Sequence, residues 1–171
     1  MKESILDMLK RHEGVRLYPY YCPAGKLTIG VGRNVEDKGF SPEEKEELFG
    51  DRNLKDTAII AMLSQKVSTK EPVLTDDQVL YLLRNDISQC MTKLRANLPY
   101  FDHLTEARQN VLIDMCFNMG WHGLMAFQKM FAALEIAHYT AAAKEMMDSK
   151  WARHRQVGER ASELSAMMRE G

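Results

Sequence analysis

Three side chains within EGVRLYPYYCPAGKLTIGVGRN, residues 13–34, are of types that could share one piece of chemistry: Glu13, Cys22 and Thr28. A carboxyl can give or take a proton, a thiolate can act as nucleophile or base, and a hydroxyl can orient water. Glu13 is set apart by its position, because Gly14 follows it as a natural helix stop. The negative end of a helix dipole disfavours a carboxylate by about 0.3–1 kcal/mol at an exposed site. A helix built for stability alone would end in Lys or Arg, so a glutamate here suits a proton donor. The competing explanation is an ordinary surface glutamate that tolerates a poor position.

The surrounding elements have to bring these residues to one side of a small structure. Residues 2–13 read as a helix, with Ile5, Met8, Leu9 and His12 at helical spacing. KLTIGVG then alternates, with Leu27, Ile29 and Val31 apolar, and predicts a strand with one face on a core. RLYPYY predicts its partner, demoted to an edge by Pro19, and CPAGK has the chemistry of a turn. Residues 15–32 therefore read as a hairpin. Centred on Ala24, it sets Tyr20 opposite Thr28 and puts Cys22 on the same face, away from Leu27, Ile29 and Val31.

Downstream, Ser41-Pro42-Glu43-Glu44 opens a helix with a capping box and a proline in the first turn, ending near Gly50. A second helical stretch covers about 54–66. Thr75, with Gln78 closing its box, starts a long helix that runs to about Asn97 before Pro99. Thr105–Met119, Met125–His138, Thr140–Ala152 and Glu159–Arg169 keep helical character. The class implied is α+β, predominantly α-helical, as a single domain. A small β-hairpin lobe at about 14–74 is joined by a long helix, about 75–97, to a helical lobe at about 98–171, which also takes helix 2–13.

Composition excludes several classes. The 171 residues carry a net charge of −1, and neither half is basic, which argues against nucleic acid. The most apolar stretches are too short to span a bilayer, and the N-terminus lacks the apolar core of a secretory signal. Cys22, Cys90 and Cys116 form no CxxC pair, so a disulfide framework or zinc knuckle is not expected. Cys90 and Cys116 read as buried small hydrophobes. The histidines lack metal-ligand spacing, so no metal and no cofactor is expected. The one local basic excess, Lys150–Arg160, reads as a solvated helix face.

With these residues in view, a resemblance emerges. Glu13, Cys22 and Thr28 match the E-x8-[D/C]-x5-T pattern of the phage-type lysozymes, glycoside hydrolase family 24. TIGVGRN, LTDDQVLYLLRNDI, VLIDMCFNMG and SKWARHRQVGERASE resemble, in order, further segments of that family. Residues 38–73 fit poorly. The resemblance implies a lysozyme-like two-lobe fold and a peptidoglycan-degrading muramidase acting on the β-1,4 bond between N-acetylmuramic acid and N-acetylglucosamine. Glu13 would then be the general acid, and Thr28 would position the attacking water. Cys22 stands where the T-even phage member has Asp, and three roles stay open for it: thiolate base, covalent nucleophile, or neutral water-holding group. An ordinary thiol is only a few per cent thiolate at neutral pH.

Supporting roles follow from the same resemblance. Arg160 matches an arginine that pairs with the catalytic glutamate, with Arg155 as a rival because of two extra residues after Trp151. Arg33 and Asp86 occupy positions of a buried charged pair. Gly32, Phe117 and Asn118 match positions that line the sugar site, although a phenylalanine in an apolar helix, as Phe117 is, more often belongs to the core. The biology implied is that of a monomeric phage endolysin, held in the host cytoplasm until a holin releases it to the periplasm and cell wall, with no signal peptide and no membrane insertion. The competing class is a non-catalytic peptidoglycan-binding protein with a decayed site.

Overall fold

The computed structural model describes residues 2–171. Ser4 accepts a hydrogen bond from the Asp7 backbone and caps helix α1, which runs Ile5–Glu13. The start is later than the residue-2 boundary expected from periodicity, because a capped first turn fixes where the helix can begin. The helix stops where Gly14 takes φ 79° and its N–H closes on the Lys10 carbonyl.

Three antiparallel strands follow, β1 (Arg16–Tyr21), β2 (Leu27–Gly30) and β3 (Arg33–Asn34), in the order β1-β2-β3. Tyr20 lies opposite Thr28, the register expected for a hairpin centred on Ala24. β3 was not foreseen, because two residues are too few to display a period. It sets Asn34 opposite Thr28 and Arg33 opposite Ile29.

The burial of β2 also departs from expectation. Its alternation predicted one core face and one open face, yet all four residues are buried, Thr28 included. Apolar side chains from further along the chain cover the strand: a Cβ at Gly30 would lie 3.7 Å from Leu74 and 4.0 Å from Val79. The register of β1 is irregular between Arg16 and Tyr20. Within that stretch the Leu17 carbonyl accepts from the backbone of Val73 and Leu74, so a returning segment covers the edge that Pro19 keeps from regular pairing.

Ser41 and Glu44 form the expected capping box at the start of α2 (Pro42–Phe49), and Gly50 ends it in the left-handed region. α3 spans Asp56–Ser64. Thr75 and Gln78 exchange the expected reciprocal hydrogen bonds at the start of α4, Asp76–Asn97. The chain divides into two compact units, one up to Asp86 and one from Ile87. The first contains α1, the sheet, α2, α3 and the first half of α4, with Met8, Leu9, Ile29, Leu63 and Leu83 buried.

The second unit is helical. A 3-10 turn at Phe101–His103 leads into α5 (Glu106–Met125), α6 (Gln128–Glu135), α7 (Tyr139–Met147), α8 (Lys150–Arg153) and α9 (Glu159–Glu170). The expected helix Thr140–Ala152 is in fact two, because Ser149 adopts an extended conformation and caps α8. α5 continues past Met119, but Gly120 breaks it with φ 79° and ψ 167°. Met115, Met130, Met146 and Met168 are fully buried among leucines and alanines of α5, α6, α7 and α9, as core filler. Cys116 is buried, whereas Cys90 is only partly so. The class is α+β and predominantly helical, as expected. No helix among the described residues is long and apolar enough to cross a membrane.

Candidate active site

Glu13 is held by two backbone devices. It closes α1, and its carboxylate lies against Gly32, where a Cβ would come within 3.1 Å of Glu13 Oε2. Gly32 has φ 64°, a conformation that side-chain-bearing residues rarely adopt. A glycine is therefore favoured there twice, by the positive φ of the turn after β2 and by the close approach of the carboxyl group. The Glu13 carboxyl thus lies directly beside the Gly32 backbone.

Cys22 sits in the turn between β1 and β2. Its N–H donates to the Lys26 carbonyl, and its own carbonyl accepts from Gly25, which has φ 78°. The side chain is partly exposed. Thr28 is 3% exposed, and its Oγ1 donates to the Lys26 carbonyl at 2.8 Å. A hydroxyl has one proton, so toward any further partner Thr28 acts as an acceptor. Tyr20 faces Thr28 across the ladder, and the Arg16 guanidinium stacks on its ring 4.2 Å from the centroid.

Arg33 and Asp86 form the centre of a larger cluster. Arg33 is 2% exposed. Its Nε and one Nη bond Asp86 at 3.2 and 2.7 Å, and its two Nη atoms bond Glu44 at 3.1 and 2.8 Å. The remaining capacity goes to the Gly39 carbonyl at 3.0 Å, so all five N–H donors of the guanidinium are in use. Lys38 also donates to Asp86, and Asn85 to Glu44 at 3.0 Å. Burial by itself would raise the Glu44 carboxyl, but donors from Arg33, Asn85 and the Ser41 backbone outweigh it and hold it at about 2. Burial opposes the Arg33 charge, and Glu44 and Asp86 more than restore it, so the guanidinium is raised further above its ordinary range. Sequence reasoning missed Glu44 as a member of this cluster. The capping box already accounted for a glutamate there, so no unexplained feature remained to point elsewhere.

In the second unit, Arg160 donates from Nε to Oδ1 of the fully buried Asp114 at 2.8 Å. Arg155 is exposed. Asn118 accepts from Trp151 Nε1 at 2.7 Å, and Phe127 meets Trp151 edge-on with centroids 6.0 Å apart. Phe117 and Asn118 are each partly exposed, so Phe117 is not a sealed core residue. Among the described residues no group of three or more His, Cys, Asp or Glu could hold a metal ion.

The sequence matches the family model described as Phage lysozyme over residues 10–167. It is 28% identical to a probable T4-type lysozyme of Dictyostelium discoideum, over 88% of this chain and 86% of that protein. It is 25% identical to an endolysin of Acyrthosiphon pisum secondary endosymbiont phage 1, over 94% of this chain and 85% of that protein. The pre-baseplate central spike protein Gp5 of Enterobacteria phage T4 is 23% identical over 98% of this chain, which corresponds to 28% of that longer protein.

Proposed function

The chain belongs to the phage lysozyme family, a group of lysozyme-type glycoside hydrolases, and on that premise we propose that it cleaves the β-1,4 bond between N-acetylmuramic acid and N-acetylglucosamine with Glu13 as general acid. One observation carries the reading. The Glu13 carboxyl is held at the end of α1 against a glycine whose positive φ and close approach disfavour any side chain, in the same unit as Cys22 and Thr28. Fixing one carboxyl at the unfavourable end of a helix, against a close backbone, is what positioning for proton transfer requires.

In the proposed reaction Glu13 protonates the glycosidic oxygen as its bond to the anomeric carbon breaks. A water, accepted by Thr28 and deprotonated by the Cys22 thiolate, forms the new bond from the opposite face. Room for a water between acid and base implies inversion of the anomeric centre. Arg33 and Asp86 hold the sheet to α4 rather than touching sugar. Phe117 and Asn118 are proposed sugar contacts and Arg160 a supporting residue. The biological role proposed is host lysis by a monomeric endolysin, synthesised in the host cytoplasm and given access to the wall by a holin.

The test is reducing-end release from purified peptidoglycan by the parent and by Glu13→Gln, with thermal melts of both. Removal of a positioned proton donor costs about 10²–10⁴-fold, and the melting temperature should hold or rise slightly as the charge leaves the helix end. Equal release by both proteins would contradict the reading and favour a wall-binding protein without turnover.

A further inference from the structure

The water that attacks a sugar has two protons and two lone pairs to place. One lone pair forms the bond to carbon. One proton goes to the base, the Cys22 sulfur, and the other can be accepted by Thr28, whose own hydroxyl proton is committed to the Lys26 carbonyl at 2.8 Å. The second lone pair needs a donor, and neither a thiolate nor this threonine can supply one.

We propose that the Tyr20 hydroxyl is that donor, a third group that holds the attacking water alongside Cys22 and Thr28. This deepens the muramidase reading and rests on it. Tyr20 is directly opposite Thr28 in the β1–β2 ladder, where facing side chains lie about 4.5–5.5 Å apart at Cβ. Cys22 follows two residues later, beyond the end of β1. The register is irregular between Arg16 and Tyr20, and the Arg16 guanidinium covers the ring from one face at 4.2 Å. The ring is partly buried, and its hydroxyl makes no hydrogen bond among the described residues.

The electrostatics agree with the geometry. Burial pushes the phenol above its ordinary value; Arg16 opposes this, and Glu13 and Cys22 push it further up. The hydroxyl therefore keeps its proton at neutral pH, and it lies near enough to feel both candidate groups. In the step, the water oxygen bonds to carbon and its proton passes to the Cys22 sulfur. The leaving oxygen takes the Glu13 proton, and Tyr20 keeps its own throughout.

The test is Tyr20→Phe, which retains the ring and the Arg16 stack, measured alone and combined with Thr28→Ala on purified peptidoglycan, with Glu13→Gln as the reference. The account expects kcat to fall about tenfold, the scale of one hydrogen bond, with KM within about twofold and an unchanged melting temperature. Because both residues hold one water, the double variant should lose clearly less than the product of the two single losses. Full activity of Tyr20→Phe, a change confined to KM, or losses that simply multiply would each overturn the proposal. If Tyr20→Phe is fully active while Glu13→Gln is dead, only this inference fails; if Glu13→Gln is as active as the parent, the muramidase reading fails with it.

Discussion

The first unit contains two clusters of ionisable side chains built in opposite ways. Around Arg33, two carboxylates and a lysine surround one guanidinium, both carboxylates have further donors, and the cluster is sealed apart from the lysine. Around Glu13 and Cys22, the acid ends a helix at its disfavoured pole, the thiol is partly exposed, and the adjoining glycine holds a left-handed turn. Charges that neutralise one another leave no capacity for a substrate, and they anchor the fold. Groups kept in costly places by the backbone give up stability and retain chemistry. Variants on each side should therefore fail in different ways.

The largest effects belong at Cys22. Cys22→Ala should lower kcat about 10²–10⁴-fold, the range for a general base, with little change in melting temperature, while Cys22→Asp restores turnover and Cys22→Ser does not. Initial rates on purified peptidoglycan check this; three equally active variants would make Cys22 a bystander. Arg33→Met should do the reverse, costing about 3–5 kcal/mol by leaving buried carboxylates uncompensated, as read by urea unfolding.

The pH dependence sharpens the contrast. Glu44 titrates at about 2 in the folded protein against 4.5 for a free carboxyl. A depressed carboxyl contributes stability that is fully present above about 4.5 and lost as the pH falls toward about 2. Melting temperature should fall through that window in the parent. In Arg33→Met, where Glu44 has lost its main donor, acidification should raise it instead.

Gly32→Ala joins the two kinds of failure. The left-handed turn should cost about 1–2 kcal/mol, and a Cβ 3.1 Å from Glu13 Oε2 should displace the acid and lower kcat about 10²-fold. The smallest effect is expected for Ser41→Ala, which removes one half of the capping box that shares Glu44. It should cost about 1 kcal/mol and leave kcat unchanged, as melts and rates measured together would show.

What could be read in the sequence was local. The Tyr20–Thr28 register followed from the turn, and the boxes at Ser41 and Thr75 followed from spacings of three residues. What could not be read came from far along the chain. Leu74 and Val79 cover the end of β2, and the backbone at residues 73–74 covers its neighbour's edge. Glu44 serves a cap three residues away and an ion cluster reaching Asp86. A partner distant in sequence leaves no local pattern, and a residue with one sufficient local role offers no hint of a second.

The central claim is that the Cys22 side of the hairpin holds a water, so that the sugar is displaced directly. It is tested most directly by proton NMR of the anomeric signal released during the first minutes of hydrolysis. The account predicts that the α-anomer appears first and then mutarotates. Initial release of the β-anomer would mean net retention, making Cys22 a covalent nucleophile and contradicting the water-holding site.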